Sequence, residues 1–358
     1  MPALSMIRSV KKNLLSLVLI ILLALLIGFI LPQSVQADQP PGIGTATPTS
    51  VISQVTPNQP LILSFPPPAS HPLSGWRPPL FPIPFALGPH DHFYLDRPIA
   101  VTSVNWPLPD YRYGYLESET ENPHTGVDID APMHTPILAA ADGKVVFTGY
   151  GLALGGGNTA DPYGLAVVIR HNFSFDGQSI VTVYAHMEKI LVTVGQHVST
   201  GQALGLVGVT GNTSGPHVHF EVRLETNNTY SVQNPELWMV PPTDCGVLVG
   251  QFKDAYGSYL TARTVWIKSE SSGKTWTIFT YANQQVKNDP YYKENLVLGD
   301  LPAGKYKVTF LNNYQYFDYA VTISPGAITP ISFISGKGFQ PEIPDGVDTN
   351  SFLLPIQN

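Results

Sequence analysis

The sequence predicts a mainly β protein, with an antiparallel β-sheet domain at residues 121–240 followed by a small β-sandwich at residues 246–338. Short segments of alternating apolar and polar residues recur between turns that contain Gly or Asp, and no stretch has a convincing helical period. The segments after residue 246 have the spacing of a sandwich. With 358 residues, of which 43% are hydrophobic and 13% charged, the chain is long enough for two modest domains and linkers.

Residues 1–37 have the order of an export signal. Three basic residues precede an apolar run at residues 14–31, and small residues follow up to Ala37. We expect either cleavage after Ala37 or, since the run is long for a signal core, an uncleaved membrane anchor. Both alternatives place the rest of the chain outside the cytoplasm, as a secreted or cell-envelope protein.

The segments that flank the two domains differ in composition. Residues 38–87 are rich in Pro, Ser and Thr without a sustained period, and we expect a linker there. Residues 88–120 contain more aromatic residues and are expected to pack on the domain that follows. Residues 339–358 are expected to form a loose tail.

Charge and cysteine content exclude some functions. The formal net charge is −7, and the only basic residues before Ala37 are the three in the signal, so the mature chain is still more acidic. Nucleic acid is therefore a poor partner. Cys245 is the single cysteine, which excludes an internal disulfide, and we assign it no chemistry.

The segment "SGPHVHF" at residues 214–220 places His217 and His219 one residue apart in the alternating pattern of a half-buried strand. Both rings therefore project from one face, together with Glu221 and Arg223, while the valines and Phe take the other face. Two imidazoles on one polar strand face are unlike a single core histidine, and the pair alone fits either a metal or catalytic site or a chance surface pair.

Two further segments offer similar side chains. "HTGVDIDAP" places His124 and Asp128 on one strand face, and "VTVYAHM" is expected to place Tyr184 and His186 on the polar face of another strand. Imidazole and carboxylate are zinc donors, and a catalytic zinc keeps three protein ligands and one open position. His124, Asp128 and one histidine of the later pair satisfy that number, although strand parity does not rank His217 against His219.

The segments "HTGVDIDAP", "YAHM" and "TGNTSGPHVHFEV" resemble, in order and spacing, the three signature segments of the lysostaphin/LytM-type zinc endopeptidases. The resemblance covers about residues 115–240. It implies that His124, Asp128 and His219 bind zinc. It also implies that His186 and His217 are catalytic, with His217 as the general base and His186 at the developing oxyanion. Members of this family cleave peptide cross-bridges or stems of bacterial peptidoglycan, so the resemblance implies an exported, zinc-dependent wall hydrolase.

Alternatives to this function stay open. One is a noncatalytic relative that binds the wall or activates another hydrolase, which missing ligands would indicate; none of the five expected residues is missing. Another is a peptidase that acts on a secreted protein. His90 or His92 could block the metal site, and the alternative is that both simply pack on the surface. Asp130 could lie near the metal or face solvent.

The C-terminal region also resembles prealbumin-like or carboxypeptidase-regulatory-like sandwiches, through "GDLPAGKYKVTF" and "ISPGAITPISF". Such a module could bind wall glycan or space the enzyme from the wall. Because every proposed catalytic residue lies upstream, we expect residues 246–338 to fold independently and to be dispensable for cleavage of a small peptide.

Overall fold

The computed structural model of the chain describes residues 80–88, 90–99, 109–116, 122–226, 229–281 and 286–340. The expected signal or anchor, most of the expected linker, part of the lead-in and nearly all of the expected tail lie outside these ranges. Within the ranges that are described, no helix has the length and apolar character needed to cross a membrane.

The described part of the chain forms seventeen strands and two short 3₁₀ turns, Pro109–Tyr111 and Pro235–Leu237. In chain order the strands are β1 (Val127–Asp130), β2 (Pro136–Leu138), β3 (Gly143–Gly149), β4 (Leu165–Phe175), β5 (Gln178–Ile190), β6 (His197–Val198), β7 (Ala203–Val207), β8 (His217–Thr226), β9 (Thr229–Gln233), β10 (Cys245–Lys253), β11 (Thr264–Ser269), β12 (Thr275–Phe279), β13 (Leu296–Pro302), β14 (Gly304–Asn312), β15 (Gln315–Ile323), β16 (Ile328–Ile334) and β17 (Gly338–Gln340).

Strands β1 to β9 form one antiparallel sheet. Its main path runs β1-β8-β5-β4-β3-β6, while β7 pairs with both β2 and β5, and β9 pairs with β8. Strand β8 has β5 on one side and, on the other side, β1 along its first residues and β9 along its last. Strand β8 therefore lies between β1, which carries Asp128, and β5, which carries His186.

Alternation along β8 separates the core from the site. Val218, Phe220 and Val222 are fully buried in the main hydrophobic cluster, and the intervening histidines point to the opposite face. Each such burial contributes roughly 1.5–3 kcal/mol. A slip of one residue would exchange the two faces, so the buried side chains fix the register of the strand that carries His217 and His219.

The segment before β1 is part of the same core. Phe93, Leu95 and Ile99 are at most 1% exposed. The backbone of Leu95 donates to Trp238 O at 3.0 Å and accepts from Val240 N at 2.8 Å. Packing against this cluster extends back to residues 80–85, within the segment expected to be a linker.

Strands β10 to β17 form two four-stranded sheets, β13-β10-β16-β17 and β12-β11-β14-β15. Their facing sides enclose a second hydrophobic cluster, which includes Phe252, Phe310 and Phe333. Only β10 and β16 pair in parallel among these strands; the other pairings are antiparallel. The predicted fold class, an antiparallel sheet domain followed by a small β-sandwich, is confirmed.

The two parts of the structure share buried side chains. Val247, Val249 and Val297 of the sandwich belong to the same hydrophobic cluster as Phe220 and Trp238. The independent folding of residues 246–338 therefore stays a prediction, and this shared core argues against it.

Candidate metal centre and active site

The predicted residues come together because three neighbouring strands carry all of them except His124, which lies in the segment just before β1. Asp128 on β1 lies directly opposite His219 on β8, and Asp130 lies opposite His217. On the other side of β8, Ala185 of β5 lies opposite His219. Residues opposite each other on paired strands share a face of the sheet, so the register brings the first and last motifs to one point.

His186 reaches this face by an exception to strand alternation. Its φ is +61°, a conformation that non-Gly residues seldom adopt, and its ring lies 4.8 Å from the His217 ring, centroid to centroid. The expectation that Tyr184 shares a polar face with His186 is wrong. Tyr184 is fully buried in the core, where its ring packs against Phe220. The left-handed backbone at residue 186 therefore turns the imidazole to the site.

His124, Asp128 and His219 form the candidate metal centre. His124 Nε2 lies 3.1 Å from Asp128 Oδ1 and 3.0 Å from His219 Nδ1, and His219 Nδ1 lies 2.8 Å from Asp128 Oδ1. Among the residues that the structure describes, this is the group of possible metal donors whose atoms all lie within 4.8 Å of one another.

The remaining ring nitrogens determine the tautomers of the two histidines. His124 Nδ1 lies 3.0 Å from Arg112 O, and His219 Nε2 lies 3.0 Å from Glu221 Oε1. Both partners only accept hydrogen bonds, so these two nitrogens carry the protons. The other two nitrogens, His124 Nε2 and His219 Nδ1, face the Asp128 carboxylate, which also only accepts. A cation that took the place of protons on these two nitrogens would meet three lone pairs at one point. Such a donor set fits a divalent cation.

Charges around the centre agree with this arrangement. Burial acts to raise the pKa of Asp128, but hydrogen bonds from His124 and His219 hold it well below its ordinary value. Burial acts to lower the pKa of His219, yet the hydrogen bonds to Asp128 and Glu221 raise it to about 9. The site thus attracts positive charge between Asp128 and His219, which a metal ion would supply in place of a proton.

Glu221 is a residue that the sequence placed on the correct strand face without giving it a role. It is 0% exposed. Its Oε1 accepts from the hydroxyls of Thr125 at 2.5 Å and Tyr163 at 2.8 Å, and its Oε2 accepts from Arg223 Nε at 2.5 Å. Burial opposes ionisation, but these contacts and His219 lower the pKa of Glu221 to about 2. A carboxylate so placed fixes the ring of a metal-binding histidine.

His186 and His217 present the same tautomer to the cleft. His186 Nδ1 donates to Thr210 O at 2.8 Å, and His217 Nδ1 donates to Gly215 O at 2.9 Å. Burial lowers the pKa of His186 to about 4 and lowers that of His217 as well. Both rings are therefore neutral at neutral pH, with Nε2 able to accept a proton. The His217 Nε2 has no hydrogen-bond partner and lies 3.6 Å from Asp128 Oδ2.

A cleft of about 410 Å³ is lined at its base by His124, Asp128 and His217. One wall is the segment at residues 110–115, and the other is the loop at residues 212–214. The hydroxyls of Tyr111 and Ser214 lie 3.0 Å apart across the cleft rim. The side chain of Asp130 is exposed. Of the two positions expected for Asp130, the structure therefore shows the one that faces solvent.

The histidines considered as blocking residues lie elsewhere. His92 is fully buried, with its Nε2 3.1 Å from Asp289 Oδ2. The His90 ring stacks on Tyr291, with centroids 3.4 Å apart. Both pack against the sandwich, and neither contacts the candidate centre.

Comparison with known proteins agrees with the motifs. Residues 122–232 match the sequence profile of Peptidase family M23. The chain is similar to peptidoglycan DD-endopeptidase ShyA of Vibrio cholerae serotype O1, with 37% identity over 135 residues, which cover 37% of this chain and 28% of the relative. It is also similar to DD-carboxypeptidase/endopeptidase Mpg of Neisseria meningitidis serogroup B, with 36% identity over 127 residues, covering 36% of this chain and 26% of the relative.

The chain thus spans little more than a quarter of the length of these curated relatives. Among solved structures it is similar to the catalytic domain of the antimicrobial peptidase lysostaphin from Staphylococcus simulans, at 31% identity and a TM-score of 0.29, covering 35% of this chain and 86% of that one. The family resemblance inferred from the three motifs is confirmed by the profile match.

Proposed function

We propose that the peptidase family M23 domain at residues 122–232 is a zinc-dependent endopeptidase that cleaves peptide cross-bridges or stems of bacterial peptidoglycan. One observation carries the proposal: His124 Nε2, His219 Nδ1 and Asp128 Oδ1 lie within 3.1 Å of one another. The other nitrogen of each ring faces an acceptor and keeps its proton, so the nitrogen toward Asp128 is the one that can bind a metal.

These three side chains fit zinc, through His124 Nε2, Asp128 Oδ1 and His219 Nδ1. When bound, zinc supplies a Lewis acid that makes water a better nucleophile near neutral pH and polarises a peptide carbonyl. The protein contributes a fixed donor set. Because Glu221 and the Arg112 carbonyl orient the two rings, the donors need little rearrangement on binding.

His217 is the general base in this proposal. Its Nε2 is unprotonated, lacks a hydrogen-bond partner and faces the cleft beside Asp128. It can accept the proton of the attacking water and deliver it to the leaving amine. His186 hydrogen-bonds the developing oxyanion. Since His186 Nδ1 already donates to Thr210 O and burial keeps the ring neutral at neutral pH, Nε2 must first take up a proton from solvent before it can donate to the oxyanion, and negative charge in the transition state favours that uptake.

The substrate follows from the relatives and the cleft. The two curated relatives are named for endopeptidase activity, one of them on peptidoglycan, and the cleft is lined by His124, Asp128 and His217. A wall substrate requires an extracytoplasmic location, which agrees with the export signal or anchor expected from residues 1–37. Wall peptides are therefore the expected partners, and nucleic acid is not.

The experiment incubates the full chain with defined cross-linked muropeptides and identifies the fragments by mass spectrometry. Cleavage that stops on addition of a chelator and returns with zinc is expected. His217→Ala serves as the matched control, because it should keep the metal and lose the activity. Binding to the wall without cleavage would indicate the noncatalytic alternative. Cleavage of a protein substrate but of no muropeptide would indicate a peptidase for secreted proteins.

A further inference from the structure

One short segment holds every polar group of His124 except the nitrogen that faces the metal centre. His124 Nδ1 donates to Arg112 O at 3.0 Å. The His124 backbone N donates to Tyr115 O at 2.8 Å, and its carbonyl accepts from Gly114 N at 2.8 Å. The position of residues 112–115, here called the 112–115 segment, therefore fixes both the backbone and the ring of this ligand.

Aromatic contacts attach the 112–115 segment to the sandwich. The Tyr113 hydroxyl accepts from Lys287 N at 2.8 Å, and the Tyr113 ring packs edge-on against Tyr281, with centroids 5.1 Å apart. The Tyr115 ring lies 5.4 Å from the Phe279 ring. On the sandwich side the partners of the two tyrosines are Phe279, at the end of β12, and Tyr281 and Lys287 beyond it, while the Tyr113 hydroxyl also lies 3.0 Å from Val232 O on β9.

Gly114 shows how closely the two surfaces meet. Its φ is +77°, and a Cβ on this residue would lie 2.8 Å from Cδ1 of Tyr281. That distance is shorter than real Cβ contacts, and the left-handed backbone already favours glycine. The Tyr281 ring therefore lies directly on the backbone that hydrogen-bonds His124.

A buried ion pair makes a second connection. Arg112 Nη1 lies 2.9 Å and 3.0 Å from the two carboxylate oxygens of Glu236, and Glu236 Oε2 accepts from Gly299 N, on β13 of the sandwich, at 2.5 Å. Arg112 is 6% exposed and Glu236 is 2% exposed. Because a buried charge without its partner is strongly unfavourable, Arg112, Glu236 and the sandwich backbone constrain one another.

From these contacts we propose that the sandwich is a positioning element of the metal centre: it holds the 112–115 segment against His124 and thereby sets the affinity of the site for zinc. The inference rests on the proposed function, because it takes His124, Asp128 and His219 as the zinc ligands. A sandwich that only spaced the enzyme or bound glycan would leave the zinc affinity unchanged when its contact with the 112–115 segment was altered.

The test compares two substitutions in the sandwich, in the full chain. Tyr281→Leu removes the ring that lies on Gly114, whereas Phe310→Leu removes a buried ring of the second hydrophobic cluster, remote from this contact. The zinc dissociation constant is measured by competition with a chelator, and the free energy of unfolding by urea. Tyr281→Leu should weaken zinc binding about tenfold, as loss of support for a metal ligand does. Tyr281→Phe, which keeps the ring, should restore the affinity.

Phe310→Leu should lower the free energy of unfolding while leaving zinc affinity within about twofold of the wild type. Equal zinc affinity in wild type and Tyr281→Leu would overturn the inference alone. Failure of the wild type to bind zinc would overturn the proposed function as well. If Tyr281→Leu does not fold, Phe279→Leu, which removes the sandwich ring that packs on Tyr115, decides by hydrogen exchange. The control is Tyr306→Phe, which loses a hydroxyl hydrogen bond to Pro302 O within the sandwich. Faster exchange of the Gly114 and His124 amides than in this control supports the inference, and equal exchange overturns it.

Discussion

Asp128 and His219 lie directly opposite each other on neighbouring antiparallel strands, and 2.8 Å separates Oδ1 of the aspartate from Nδ1 of the histidine. This pair joins two motifs that are far apart in the sequence. The register of β1 and β8 is fixed by side chains buried on the opposite face, so the distance is a property of the sheet. Ligands placed on strands in this way are held more accurately than ligands on loops.

The Glu221 carboxylate should determine how tightly the centre binds zinc. Glu221→Gln replaces an acceptor by an amide that cannot accept from all of its present donors, and His219 loses its fixed tautomer. We expect zinc affinity to fall roughly 10–100-fold, measured by chelator competition. Glu225→Gln is the matched control, because Glu225 pairs with Arg170, whose side chain is 44% exposed. Equal affinities in the two variants would show that Glu221 does not support the ligand.

Because the backbone at His186 is left-handed, the free energy of unfolding of a variant should depend on which residue replaces the histidine. Both His186→Asn and His186→Val remove the imidazole and should lose activity. Asn tolerates a φ near +61°, whereas a β-branched residue does not, so the Val variant should be less stable by about 1–2 kcal/mol. Urea unfolding of the two variants measures the difference. Equal free energies of unfolding would mean that the left-handed backbone at this position is not required.

Sequence reasoning identifies the segments that build the site, because the period of two is a local property. Alternation predicts His217 and His219 on one strand face and His124 and Asp128 on another, whereas their meeting at one site follows from the family resemblance and not from strand parity. Strand parity could not predict that His186 leaves the alternating pattern, because a single left-handed residue inside an apolar segment has no local signal in a histidine.

The sequence also could not predict which group accepts the hydrogen bond from the His124 ring. Its Nδ1 binds a main-chain carbonyl, and any residue type supplies such a group, so nothing marks Arg112. Glu221 could have been found, since it lies on the same face as His219 and two residues away. The signal in the sequence is a carboxylate on the same strand face as a predicted ligand and two residues from it.

Stability should fall in mild acid because of His171. This ring is 6% exposed, donates to Asp142 O and pairs with the Thr182 hydroxyl. Burial lowers its pKa from 6.5 to about 4, so the unfolded chain binds the proton first as the pH falls through this range. This group alone should reduce the free energy of unfolding by about 3 kcal/mol between pH 7.5 and pH 4.

Urea unfolding at several pH values, compared with His171→Asn, isolates this effect from that of the other histidines. The variant is expected to be less stable at neutral pH but to lose less stability on acidification. The same pH dependence in both proteins would mean that His171 titrates normally in the folded chain.

The most direct test of the metal centre measures zinc content and the rate of muropeptide cleavage on the same folded samples of wild type, His217→Ala and His219→Ala. The wild type should hold about one zinc per chain. His219→Ala removes one of three ligands, so zinc and activity should fall together. His217→Ala should keep the zinc and lose roughly 10²–10⁴ in rate, as expected for a general base. Equal zinc loss in the two variants, or full activity in either, would contradict the account.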